Sequence, residues 1–274
     1  VGIELANARA SPLIQTLMEK FRDPEVPADL SRYTCGPVDF EDFLQSGAEV
    51  YTELDLASRK HSGRGLREFN RILDFGCGCG RILRFLAGGP SALHGCDINA
   101  KIAGFAERSV PNAQVYQNSL MPPLRYGDGE FELVYSFSVF SHLTQQVENE
   151  WLRELVRIGK PGCLYLLSVH GDWVIDATLG EEADKARAEG FHMRKVYERS
   201  GADLDFPEYY EASYHTSEYI RRAWSPYLEI VDIVKGDNPS RYLWGDLQFE
   251  PIGTVPGFRP MGQDLVVGRK RALD

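Results

Sequence analysis

Apolar and polar positions along this chain follow two rhythms, and the alternation between them predicts its architecture. Short apolar runs closed by glycine, proline or polar residues predict strands at Arg71–Phe75, Ala92–Cys96, Ala113–Gln117, Glu132–Phe137 and Cys163–Val169. Elsewhere apolar residues recur at three- and four-residue intervals. The segment VDFEDFLQSGAEVYTELDLASRK carries Phe40, Phe43, Leu44, Tyr51 and Leu54 at such spacing, which predicts a helix packed over the mouth of a site. Tyr51 has two readings there, a ligand contact or an aromatic contact in the core. The helix ending in LVRIG is expected to stop with Gly159 in the left-handed conformation, since Pro161 cannot continue it. EEADKARAE reads as a solvated helix stopped by Gly190. Another helix starts at Thr216, a candidate N-cap with Glu218 in the first turn, and leads to the strands LEIVDIVK and DLVVGRK, one of them antiparallel.

One alternating series of this kind predicts α/β architecture: a doubly wound, mostly parallel seven-stranded sheet with helices on both faces, an N-terminal helical extension and an inserted cap. The expected boundaries are 1–70 for the extension and 71–274 for the sheet domain, with the cap at about 171–214. Within the cap, Phe206, Tyr209, Tyr210, Tyr214 and His215 either form an apolar pocket that excludes water or pack on the sheet. The long loop from Gly236 to Gly262, with Trp244 and Phe258, is expected to order a substrate edge or a subunit contact, so a homo-oligomer stays open.

The richest chemistry lies in ILDFGCGCGR, Ile72 to Arg81, where a strand runs into a turn dense in glycine. Gly76, Gly78 and Gly80 lack a β-carbon, so the backbone can take positive φ and a ligand can approach its amides. The run RILRFLA sets Ile82, Leu83, Phe85 and Leu86 near helical spacing, predicting a helix whose positive end meets an anionic or strongly polar group. Asp97 ends the second strand. Its carboxylate can accept from both hydroxyls of a ribose, and it also fits as an N-cap for NAKIAGFAER; the two roles are compatible.

Charge and cysteine usage narrow the classes. A net charge of −10 and a pI near 5.2 argue against a surface that tracks DNA or RNA phosphates, so no nucleic-acid partner is expected. No apolar run reaches membrane-spanning length, and VGIELANARASPLIQ lacks the basic-then-apolar pattern of a signal peptide, so neither a membrane partner nor a leader is expected. The five cysteines, Cys35, Cys77, Cys79, Cys96 and Cys163, are odd in number and scattered, which fits a reducing, cytoplasmic setting. Cys77 and Cys79 occupy variable positions of the glycine turn with no second pair at zinc-like spacing, so no metal is expected.

Four ordered segments resemble the class I S-adenosylmethionine-dependent methyltransferase family: LDFGCGCGR, HGCDIN, VYQNSLMPPL with the following FELVYSFSVFSHL, and LVRIGKPGCLYLLSVHG. By that resemblance Asp74 and Arg81 organise the amino-acid end of S-adenosyl-L-methionine. Gly76, Gly78 and Gly80 line the methionyl part. Asp97 holds the ribose, Asn118, Ser119 and Leu120 approach the adenine, and Phe75, Cys77, Ile98, Ser136 and Phe137 complete the cofactor-binding set. The turn reads G-x-G-x-G and not the G-x-G-x-x-G of nicotinamide binders, which leaves a dehydrogenase as the lesser alternative.

The chemistry this implies is in-line transfer of a sulfonium methyl, for which alignment and desolvation matter most. A base is needed only for an acceptor that arrives protonated. His142, His170 and His215 are the candidates, each with a structural reading: orienting a loop, capping a strand end, or preceding a helix. SFSVFSH stands where many amide and exocyclic-amine methyltransferases carry Asn-Pro-Pro-aromatic, and Phe137, Val139 and Phe140 offer an apolar wall. A small organic acceptor, methylated at oxygen, is therefore favoured. The alternatives are methylation at nitrogen or sulfur of a small molecule or a protein, and a non-catalytic binder that keeps the fold. Aminopropyl transfer would require an acidic polyamine site, which the aromatic cap does not suggest.

Overall fold

The computed structural model of the protein describes residues 12–35, 39–194, 211–236, 243–244, 247–248 and 262–271. Five strands run parallel: β1 (Arg71–Phe75), β2 (Ala92–Asp97), β3 (Ala113–Gln117), β4 (Phe131–Ser136) and β5 (Gly159–Val169). β6 (Phe191–Arg194) and β7 (Ala212–His215) form a separate antiparallel pair. β8 (Glu229–Val234) lies at the edge of the main sheet, β9 (Leu243–Trp244) pairs with β10 (Leu247–Gln248), and β11 (Asp264–Arg269) inserts antiparallel between β5 and β8. The seven-stranded order is β3-β2-β1-β4-β5-β11-β8. Chain order reverses between β1 and β4, and such a reversal opens a crevice at the carboxyl ends of the strands.

Period-two side-chain alternation divides the core into two layers. Ile72, Leu133, Tyr135, Leu164, Leu166, Leu265 and Val267 face one layer, while Leu73, Phe75, Val134, Tyr165, Leu167 and Val266 face the other. The helices are α1 (Pro12–Lys20), α2 (Ala28–Cys35), α3 (Phe40–Ser62), α4 (Ala100–Ser109), α5 (Gln145–Ile158), α6 (Asp172–Thr178), α7 (Ala183–Glu189) and α8 (Ser217–Ala223). α3 starts where Asp39 accepts from the Asp42 amide and stops at Gly63, φ 72°. It packs Leu44, Val50, Leu54 and Ala57 on the first layer, together with Tyr51, whose ring lies 5.8 Å from Phe85. Tyr51 is thus a core contact. Trp151, Leu152, Leu155 and Ile158 of α5 and Tyr219, Ile220 and Trp224 from α8 and its end cover the other layer.

Three local expectations are corrected. No α-helix follows the glycine turn: Leu83–Leu86 forms a short 3₁₀ turn that ends at Ala87, before Gly88 at φ 70° and Pro90. Leu83, Arg84, Phe85 and Leu86 are all buried, so packing on every side explains what had read as helical spacing, and this turn opens no α-helix. Gly159 does end α5, but in extended backbone, φ −77° and ψ 144°, as the first residue of β5. It is glycine for space, because a Cβ there would overlap the Tyr165 hydroxyl, which donates to Leu155 O at 3.1 Å. The fourth strand closes at Ser136, one residue early, and the fifth opens at Gly159 in place of Cys163.

α6, α7, β6 and β7 occupy the span of the expected cap. Val174, Ile175, Leu179, Ala186, Ala212 and Tyr214 form their own small core. The unit docks at the end of β5, where the His215 amide donates to His170 O at 2.8 Å. Phe206, Tyr209, Tyr210 and Phe258, and the side chain of Trp244, lie outside the described residues. No helix among the described residues is long and apolar enough to cross a membrane.

Candidate functional site

The chain leaves β1 through a turn whose backbone is committed before any ligand arrives. Gly76 and Cys77 amides donate to Cys96 O at 2.9 and 3.0 Å, and the Gly78 amide donates to Asp97 Oδ2 at 3.0 Å. Gly76, Gly78 and Gly80 sit at φ 78°, 55° and 81°, where other residues are strained. A Cβ on Gly76 would overlap Val139 Cγ2, and one on Gly78 would stand 2.6 Å from Thr34 Oγ1. Gly80 turns elsewhere: its Cβ would meet Val110 Cγ2 at 2.7 Å, so this glycine lets the turn pack beside α4.

A cavity of about 780 Å³ opens at the carboxyl ends of β1, β2 and β4, within the size range of small-molecule sites. One wall is the turn, with Asp74, Phe75, Gly76, Cys77, Gly78 and Arg81. A second comprises Asp97, Ile98, Asn118, Ser119 and Leu120, and a third Phe137, Ser138, Val139, His142 and Leu143. Two residues expected to bind a cofactor are not on the walls. Gly80 faces α4, and Ser136, fully buried within β4, pairs with Leu167 across the sheet.

Residues 72–162 match the family model of the methyltransferase domain. The match is similarity to a methyltransferase domain over about a third of the chain. Over 97 residues it is 31% identical to an uncharacterized methyltransferase of Synechocystis, a match covering 35% of this chain and 45% of that protein. The chain therefore spans about half the length of that relative. Among solved structures it resembles a SAM-dependent methyltransferase of Methanosarcina mazei at TM-score 0.55 and 19% identity, covering 76% of this chain and 95% of that one. It also resembles a Burkholderia thailandensis 1,6-didemethyltoxoflavin-N1-methyltransferase, solved with that substrate and S-adenosylhomocysteine, at TM-score 0.50 and 14% identity, covering 85% and 86%. At these identities the two structures speak for the fold, which is the mostly parallel seven-stranded sheet of Rossmann-like methyltransferases.

The sheet keeps two acids at its switch point. Asp74 is 2% exposed, accepts from the Tyr135 hydroxyl at 2.9 Å, and titrates near about 7 because burial outweighs that bond. Asp97 is also raised by burial, opposed by the amides of Asn99 and Gly78. Each of its oxygens accepts one amide, Oδ1 from Asn99 at 2.9 Å and Oδ2 from Gly78, and a carboxylate oxygen has a second lone pair to offer. Arg81 is buried, donates to Ser46 Oγ at 3.3 Å and lies 5.4 Å over the Phe137 ring. Glu49, across from it on α3, is pushed up to about 7 by burial despite Gln45 and the Arg81 charge.

The second wall is apolar at its rim and polar at its base. Ile98 and Leu120 remain 40% and 39% exposed, large apolar side chains left partly open among the described residues. Asn118 Nδ2 donates to Ser119 O at 2.9 Å, leaving its carbonyl oxygen as the acceptor at that position. Gln117 Nε2 holds Ile98 O at 3.0 Å and Trp151 Nε1 holds Leu120 O at 3.0 Å, so both flanking loops are anchored from behind.

The three candidate histidines separate. His142 is on the cavity wall, with Nδ1 3.0 Å from Glu211 O, and desolvation lowers it to about 4. A neutral ring donates through Nδ1 in that contact. His170 stands behind it, 5.9 Å between ring centroids and 5.3 Å from Tyr214, lowered to about 3 by burial and by its histidine neighbours. His215 is fully buried with Nε2 2.6 Å from Glu148 Oε2. Neither His170 nor His215 is on the cavity wall; one props the cap and the other belongs to the core.

Thr34 and Ser138 are among the wall residues that escaped the sequence reading. Thr34 of α2 touches the turn, accepting from the Cys79 amide at 3.3 Å. A lone threonine far upstream gives no sign of this. Ser138 has φ 60°, left-handed for a residue that seldom adopts it, and no local pattern marks the position.

Proposed function

We propose that this chain is an S-adenosylmethionine-dependent methyltransferase acting on a small organic acceptor, with oxygen as the favoured atom. The observation that carries the reading is Asp97, which bridges the glycine turn and the second strand at one cavity while keeping acceptor capacity for a ribose diol. The residues present fit the donor in three further respects. The turn has no side chain where Gly76 and Gly78 meet the cavity, the amino-acid end would find Asp74 and Arg81 as opposite charges, and Ile98 and Leu120 offer apolar faces to the adenine.

When bound, S-adenosylmethionine supplies a methyl group already activated on a sulfonium. The chain's own residues then align and desolvate. Asp74, near its midpoint at neutral pH, ionises fully beside an ammonium, and Arg81 neutralises a carboxylate. Phe137, Val139 and Leu143 exclude water from the far end of the cavity. The donor would supply the methyl to the acceptor oxygen and keep the C–S electron pair as a neutral thioether, and the acceptor's proton would leave to water. His142, held neutral, receives that proton only in passing, since its own affinity for it is low.

Buried thiols at Cys77, Cys79, Cys96 and Cys163 with no disulfide support a reducing, cytoplasmic setting. The experiment that tests the reading is transfer of labelled methyl from S-adenosylmethionine across small phenols, acids, amines and thiols, with mass analysis of the product. Labelled product from a phenol supports oxygen transfer. Donor binding without transfer to any of them moves the chain to a non-catalytic binder.

A further inference from the structure

The least ordinary backbone on the cavity wall is at Ser138. It directly precedes Val139, whose side chain occupies the space beside Gly76, so this residue stands where the donor turn meets the end of β4. A closed polar ring holds it there. The Ser138 amide donates to Ser168 Oγ at 2.8 Å, Ser168 Oγ donates to Gln263 Oε1 at 2.7 Å, and Gln263 Nε2 donates to Ser138 Oγ at 2.7 Å. The loop after β4, β5 itself and the approach to β11 each contribute one member.

The ring fixes the direction of the last proton. Ser138 Oγ is already an acceptor from Gln263, so its hydroxyl hydrogen must be donated to something else. No acceptor for it stands within hydrogen-bond reach among the described residues, and Ser138 lines the cavity. A residue with φ 60° costs stability, and such strain persists where surrounding structure over-determines it, commonly at ligand sites. The neighbouring wall residues Phe137, Val139 and Leu143 carry no charge.

We propose that Ser138 contacts the methyl acceptor, donating its hydroxyl to an oxygen next to the nucleophile on a neutral aromatic ring, with Ser168 and Gln263 as positioning residues. The proposal rests on the methyltransferase reading above. It assigns specificity to a hydroxyl that distinguishes a ring with two adjacent oxygens from a ring with one.

The test compares catechol with phenol as methyl acceptors. In the wild type, catechol is turned over with a kcat/KM about tenfold above phenol, the worth of one well-placed hydrogen bond. Ser138→Gly keeps the left-handed backbone and removes the hydroxyl. It brings the two rings to near parity through the KM for catechol, with S-adenosylhomocysteine affinity unchanged. Ser138→Asn, which tolerates the same backbone and restores a donor, recovers part of the preference. A catechol-to-phenol ratio equal in wild type and Ser138→Gly overturns the proposal. So does transfer to neither ring by a wild-type protein that binds S-adenosylhomocysteine. Failure of the wild type to bind S-adenosylhomocysteine sinks the methyltransferase reading itself.

Discussion

Glu148 on α5 and Asp74 at the end of β1 are both carboxylates removed from water, 0% and 2% exposed, yet they are satisfied very differently. Glu148 accepts from the Tyr219 hydroxyl at 3.0 Å and Trp224 Nε1 at 2.8 Å, and meets His215 Nε2 at 2.6 Å. Its partners come from α8 and β7, so the group ties three elements into one core. Asp74 has one hydroxyl, a like charge nearby at Asp97, and a titration point pushed to about 7. A saturated acid holds the fold together, whereas an under-satisfied acid facing a cavity is poised to gain from a cationic ligand.

The largest expected effect breaks the first region. Glu148→Leu strips three buried donors of their partner and costs about 3–5 kcal/mol, on the order of 10 °C in melting temperature by scanning calorimetry. Its influence on donor affinity is expected only through the unfolded fraction. A melting curve within 2 °C or so of wild type would remove Glu148 from the account of the core.

Asp74→Asn probes the second region and has opposite signs in two assays. A carboxyl whose folded pKa is raised from 3.8 to about 7 makes the native state bind more protons, so its contribution to stability declines as pH rises through that window. The amide variant removes that penalty and is expected to melt at or above wild type at pH 8. For an ammonium-bearing ligand the logic reverses, because binding favours ionised Asp74 and releases its proton. Wild-type affinity for S-adenosylhomocysteine rises from pH 6 to pH 8, and Asp74→Asn loses both that slope and about tenfold in affinity. Titration calorimetry at the two pH values reads both. The smallest effect is at His142, where replacement by Gln lowers kcat several-fold and up to about tenfold, less than the usual general-base contribution because the ring is so weakly basic.

That the glycine turn and Asp97 share one cavity was legible in the sequence for a physical reason. A glycine turn and an acid at the next strand tip are local signals, and strand order brings them together without further information. Asp97 and Gly78 meet because β1 and β2 are parallel neighbours, with Phe75 opposite Cys96. The misplaced helix at Leu83 had the right spacing for the wrong reason, since a segment buried on all sides imitates amphipathic periodicity. The Ser138 side of the cavity was not legible. Ser138, Ser168 and Gln263 are separated by 30 and 95 residues, and only the sheet order β4-β5-β11 gathers them. The histidines mislead similarly: strand ends placed three near one edge, but side-chain direction sent one to the cavity wall, one behind it and one to Glu148.

The central claim is that Asp97 holds a ribose diol beside the glycine turn, and titration calorimetry with S-adenosylhomocysteine on wild type and Asp97→Ala tests it most directly. Loss of two charge-assisted hydrogen bonds is expected to weaken binding on the order of 100-fold, with the variant still folded by circular dichroism. Equal affinity in a folded Asp97→Ala protein would contradict the account.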